Sequence, residues 1–135
     1  MKVLIADDNF NNRKLLRDIL RPYADCDMVN DGKAALELFE ADLEDGEPYD
    51  LVLMDIVMPV MDGQKAVQRM RAIESELAPD QKPCMIIMVT GMDSSIQAMQ
   101  SFFKGGAADY LTKPITRQML LDKLLEHGLV EEDEG

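Results

Sequence analysis

Histidine occurs once, at position 127, and cysteine only twice, at positions 26 and 84. One imidazole and two distant thiols in no metal-ligand spacing cannot build a zinc centre, so any bound metal must be held by oxygen. Cys26 and Cys84 read as small buried apolar side chains rather than as catalytic thiols. His127 lies near the end of the last helical pattern, where a cation suits the helix dipole, and reads as structural. No apolar run approaches the ~20 residues of a membrane span, and the opening MKVLIADDN turns acidic too early for a signal peptide. The chain therefore reads as cytoplasmic. Basic residues are also scarce: 14 against 26 acidic ones leave a net charge of -12. Such a surface repels phosphate backbones and anionic lipid, so neither nucleic acid nor membrane is an expected partner.

What the chain does have is a regular alternation. Its 135 residues suit one domain with one core. Five short apolar runs, KVLIA (2–6), CDMV (26–29), DLVLM (50–54), CMIIMV (84–89) and DYL (109–111), are separated by helical patterns. The first, third and fourth runs are nearly continuous hydrophobics, as parallel strands covered on both faces require. Between them, NRKLLRDIL sets Leu15, Leu16, Ile19 and Leu20 on one helical face and stops before Pro22. GKAALELFEADL and GQKAVQRMRAIESEL repeat the device; SSIQAMQSFFKGG and TRQMLLDKLLEHG end in Gly105-Gly106 and Gly128, which suit left-handed C-caps. The expected fold is α/β, a (βα)5 doubly wound sheet with helices on both faces. Ligands of such sheets bind at the carboxyl ends of the strands.

Those ends carry a consistent set. Asp7 and Asp8 follow the first strand, Asp55 the third, Thr90-Gly91 the fourth, and Thr112-Lys113-Pro114 the fifth. Each has a plainer reading on its own: Asp8 or Asn9 caps a helix, Asp62-Gly63 makes a turn or cap before the third helix, and Lys113 is solvated. Together they bring three carboxylates, a hydroxyl and an ammonium to one edge of one sheet. Carboxylates so close repel one another unless protonated or bridged by a cation. With oxygen ligands alone the cation is hard, and Mg²⁺ fits, since it uses one or two carboxylates together with phosphate oxygens. An aspartate can act as the nucleophile toward phosphorus while metal and ammonium offset the transferring charge, and Asp55 is placed to do so. Met58-Pro59 then ends the strand, and Asp62-Gly63 launches the next helix.

DD after the first strand, MDIVMPVMDG at the third, VTG at the fourth and YLTKP at the fifth occur in that order. In these motifs residues 1–128 closely resemble the receiver domain of two-component response regulators, in its single-domain, CheY-like form. Residues 129–135 are an acidic C-terminal tail, VEEDEG closing it. The resemblance implies a strand order of 2-1-3-4-5, which sets Cys26 and Cys84 too far apart for a disulfide. By position it implies that Asp8, Asp55 and the backbone carbonyl of Val57 ligate Mg²⁺, with Asp7 acting through water. Asp55 is then the phosphoacceptor from a histidine kinase or histidine phosphotransfer protein. Lys113, with a cis bond to Pro114, and Thr90 contact phosphoryl oxygens, and Tyr110 is the switch aromatic. The switched surface is that of the fourth helix, fifth strand and fifth helix, where an effector protein binds; Met92, Met99 and one of Phe102 and Phe103 lie near it. Val57 is apolar where some relatives are polar, which bears on the hydrolysis rate of the phosphorylated form.

The expected function is a stand-alone phosphoacceptor switch that turns over no metabolite. A haloacid-dehalogenase-type phosphatase would need a second acid at Val57. A flavodoxin relative would need a hydroxyl-rich loop where DDNFNN stands. The alternative kept is a pseudo-receiver, an adaptor that is never phosphorylated.

Overall fold

The computed structural model describes residues 1–56, 58, 60–91 and 106–131. Five strands, β1 (Lys2–Ala6), β2 (Asp25–Val29), β3 (Leu51–Asp55), β4 (Met85–Thr90) and β5 (Asp109–Thr112), pair in the order β2-β1-β3-β4-β5. Every pairing is parallel. The described helices are α1 (Phe10–Leu20), α2 (Gly32–Glu44), α3 (Gly63–Leu77) and α4 (Arg117–Glu126). The fourth helical pattern of the sequence, with Met92, Met99, Phe102, Phe103 and Gly105, lies outside the described residues, as do Val57 and Pro59, so α4 is the fifth pattern.

Strand alternation divides the core into two layers. Leu4, Ala6, Val52, Met54, Ile86 and Met88 face α2 and α3, meeting Ala35, Phe39, Ala66, Val67 and Met70. Val3, Ile5, Leu51, Leu53, Ile87, Val89 and Leu111 face α1 and α4, meeting Leu16, Ile19, Leu20, Leu120 and Leu124. β3 is buried along its whole length, which is why it reads as a continuous apolar run. β2 is an edge strand and mostly exposed, with Met28 at the surface. Cys26, expected to be buried, is only half-buried there because no strand covers its outer side. Cys84 is buried, and burial, with Glu74 adding to it, pushes its thiol up to about 12. Both cysteines are free, as three strand spacings of ~4.8 Å between them require.

The four described helices are capped by side chains, Asn9 and Asp62 being among the sequence's candidates. Asn9, Asp31, Asp62 and Thr116 each accept a hydrogen bond from the backbone N–H three residues on, at 3.0, 2.7, 2.9 and 3.2 Å. Each contributes roughly 1 kcal/mol. Asn9, rather than Asp8, caps α1, and this leaves the Asp8 carboxylate for other work. Gly128 ends α4 in the left-handed region at φ 72°.

His127 has a partner that the helix dipole did not reveal. Its Nε2 lies 2.8 Å from Oδ2 of buried Asp109 on β5, and Lys123 Nζ lies 2.9 Å from the same oxygen. Burial would raise the Asp109 carboxyl, but hydrogen bonds from His127, Lys123 and the Tyr110 N–H outweigh it and hold the group below the ordinary carboxylate value. A lowered value means that the stabilisation is present above about pH 4 and is lost as pH falls through the folded-state value. Asp109→Asn should therefore unfold at lower urea concentration at pH 7, by about 1–3 kcal/mol. The gap from the parent should narrow at pH 3; an equal gap at both pH values would contradict this account.

Candidate functional site

Each strand-end residue is delivered by its strand's alternation. Asp7, Asp55 and Lys113 each follow by two a side chain that faces α1 and α4: Ile5, Leu53 and Leu111. They therefore converge on that side of the sheet edge. Asp55 and Thr90 are the last residues of β3 and β4 rather than the first of their loops. Asp7 and Asp55 are buried, at 1% and 5% exposure, whereas Asp8 is exposed. Carboxylate oxygens of all three lie within 4.8 Å of one another.

Lys113 Nζ reaches into this cluster, 3.2 Å from Asp55 Oδ2 and 3.3 Å from Asp7 Oδ2. Burial would lower the ammonium's pKa, but the carboxylates of Asp55 and Asp7 outweigh burial and hold it above the ordinary lysine value. The Lys113–Pro114 bond is cis, and the Lys113 N–H donates to the Thr90 carbonyl at 2.7 Å, fixing where the side chain starts. Asp7 Oδ1 accepts from the Asn9 N–H at 2.9 Å. Asp7 Oδ2 is buried and accepts no hydrogen bond among the described residues, its contact with Lys113 being an ion pair without hydrogen-bond geometry. A buried carboxylate oxygen left in that state, beside two further carboxylates, suits a cation and suits little else.

Arg13 is a site residue the sequence reading passed over. Its Nη1 donates to the Asp7 carbonyl at 2.7 Å, which ties the acid loop to the first turn of α1. The only signal for it is an arginine six residues after the acid. Thr90 is buried, and a side chain at Gly91 would meet nothing within 4 Å among the described residues. Tyr110 is half-buried against the layer that holds Met88, its partner in β4. Thr90, two residues beyond Met88, shares that face of the sheet with Tyr110.

Beside the acids a crevice of about 70 Å³ is lined by Asp7, Asn12, Leu15, Leu16, Lys113, Pro114 and Ile115. A larger one, about 210 Å³, opens near Tyr49, Pro83, Cys84 and Gly128 and holds none of the cluster. Of the cluster, the smaller opening touches Asp7 and Lys113 but not Asp8 or Asp55.

This arrangement has relatives. The profile of the response regulator receiver domain matches residues 3–125. The chain belongs to the response regulator receiver family. This receiver is 32% identical to chemotaxis protein CheY of Halobacterium salinarum over 91% of this chain and 92% of that one. It is 33% identical to hybrid signal transduction histidine kinase I of Dictyostelium discoideum over 90% of this chain but 7% of the kinase. Of the long sensor kinases that it matches, it spans 7% to 14%. The receiver domain of the Arabidopsis thaliana histidine kinase CKI1, solved with Mg²⁺ and BeF₃⁻, superposes with a TM-score of 0.78 at 28% identity, covering 93% of this chain and 89% of that one. Receivers of two-component systems are signalling switches rather than metabolic enzymes. Among the described residues no helix is long and apolar enough to cross a membrane.

Because the raised Lys113 value means stabilisation below the ordinary lysine value of about 10.4, lost as pH rises through the folded-state value, Lys113→Met should be less stable than the parent at pH 8. Urea unfolding in EDTA measures it, and the deficit should shrink above pH 11. A variant as stable as the parent at pH 8 would show that the ammonium does not offset the acid cluster.

Proposed function

We propose that this receiver accepts a phosphoryl group on Asp55 from the phosphohistidine of a sensor kinase or histidine phosphotransfer protein. The observation that carries the reading is the buried Asp55 carboxylate set 3.2 Å from Lys113 beside Asp7 and Asp8. An Asp55 carboxylate oxygen forms the new bond to phosphorus as the nitrogen–phosphorus bond of the donor breaks, its electron pair leaving with the imidazole. Lys113 offsets charge on the phosphoryl oxygens, which matters because positioning and electrostatics supply most of the catalysis of such transfers.

The acid cluster fits Mg²⁺ by its hard-oxygen donors and by the unsatisfied Asp7 Oδ2. Asp8, Asp55 and the Val57 carbonyl would hold the ion directly and Asp7 through water; Val57 lies outside the described residues. When bound, the ion supplies positive charge to the phosphoryl oxygens. The CKI1 receiver's Mg²⁺ and BeF₃⁻, the latter a mimic of a phosphoryl group, support the same use here.

Thr90, at the end of β4, donates its hydroxyl to a phosphoryl oxygen in this reading, and Tyr110, on the same face, responds by turning inward. That changes the surface of β5, α4 and the fourth helical pattern, where an effector protein docks.

Asp55→Asn should abolish labelling by a small phosphodonor such as acetyl phosphate in Mg²⁺ while leaving the circular dichroism unchanged. Equal labelling of the variant would refute the assignment. A folded parent that binds Mg²⁺ and takes up no label from any phosphodonor would favour the pseudo-receiver instead.

A further inference from the structure

The loop from β3 to α3 passes the start of α2 so closely that only glycine fits there. A Cβ on Gly32, the first residue of α2, would lie 2.2 Å from the carbonyl oxygen of Met61 and 3.0 Å from its carbonyl carbon. No rotamer relieves such a clash, because both partners are backbone or fixed to it. Helix α2 cannot retreat freely: Asp31 caps it at 2.7 Å from the Ala34 N–H, and Ala35 and Phe39 are buried against the sheet. The loop is the part that must give.

The described residues of that stretch make further close contacts. Ile56 N–H donates to the Val89 carbonyl at 3.2 Å, and Gly63 N–H donates to the Ile56 carbonyl at 2.9 Å. A Cβ on Gly63 would meet the Asp55 carbonyl oxygen at 2.2 Å. Val60 is held at φ 70° with its side chain 77% exposed, a backbone state that a β-branched residue avoids at a cost of about 1–3 kcal/mol. An exposed side chain offers little packing to hold it there.

We infer that Gly32 is a positioning residue, and that the start of α2 is the stop against which the loop leaving Asp55 is set. The inference rests on the proposed role of Asp55 and its neighbours in binding Mg²⁺. Asp7 is held independently of the loop, by the N–H of Asp7 on the Val29 carbonyl, the Asn9 N–H and Arg13. Gly63, two residues after Met61, lies against the Asp55 carbonyl, so Met61 pushed away from Gly32 disturbs the backbone that carries Asp55 relative to the acids on β1, and a divalent ion that needs donors from both sides binds less well.

The test is a calorimetric Mg²⁺ titration of the parent, Gly32→Ala and Gly46→Ala, with urea unfolding of each. Gly46 has φ 77° and open space around it, so alanine there strains the backbone without touching the loop. Both variants should lose stability, but only Gly32→Ala should lose Mg²⁺ affinity, by roughly tenfold. If Gly32→Ala is not folded in plain buffer, all three proteins are titrated in trimethylamine oxide, which favours the folded state. Parent-like affinity in Gly32→Ala, or equal loss in both variants, overturns the inference. A parent that binds no Mg²⁺ overturns the proposed function beneath it.

Discussion

Three carboxylates gathered at one sheet edge, two of them buried, are a standing electrostatic imbalance that Lys113 offsets only in part. The rest of the architecture is arranged around tolerating it. Two packed layers hold β1 and β3 side by side, so Asp7 and Asp55 stay close despite their repulsion. Lys113 is aimed inward by the chain leaving β5. What the fold cannot supply is a second positive charge at Asp7 Oδ2, and the proposed chemistry brings one, first as a divalent ion and then in use against a phosphoryl group.

The same imbalance gives the site its reach. In the proposed function a phosphoryl group on Asp55 would add negative charge at the strand ends near Thr90, which is buried on the Tyr110 side of the sheet. A local change of charge can bias two arrangements of one surface, which is what a switch requires. β5 is tied to α4 by Asp109 with Lys123 and His127, so this strand and helix present one surface rather than two loose ones.

Much of this was legible in the sequence because it depends on short range. Continuous apolar runs marked β1, β3 and β4, and the position of an acid directly after such a run marked Asp7 and Asp55. Candidate caps at Asn9 and Asp62 marked two of the helix starts. What escaped depends on contacts that no local pattern states. The exposure of β2 follows from its place at the sheet edge, which strand composition does not state. The pairing of His127 with Asp109 spans 18 residues, and the hold of Arg13 on the Asp7 carbonyl reverses direction within a helix turn. Gly32 read only as a helix start, since the loop that crosses it comes about 30 residues later. The carbonyl of Val57 falls outside the described residues and stays an expectation.

The central claim is that Asp55, and no other acid of the cluster, forms the acyl phosphate. Borohydride reduces an aspartyl phosphate to homoserine, so the parent phosphorylated in Mg²⁺ can be reduced, digested and mapped by mass spectrometry. The account predicts homoserine at Asp55 alone, in an amount that follows the phosphate incorporated. Homoserine at Asp7 or Asp8, or none at Asp55 in a protein that carries the label, would contradict it.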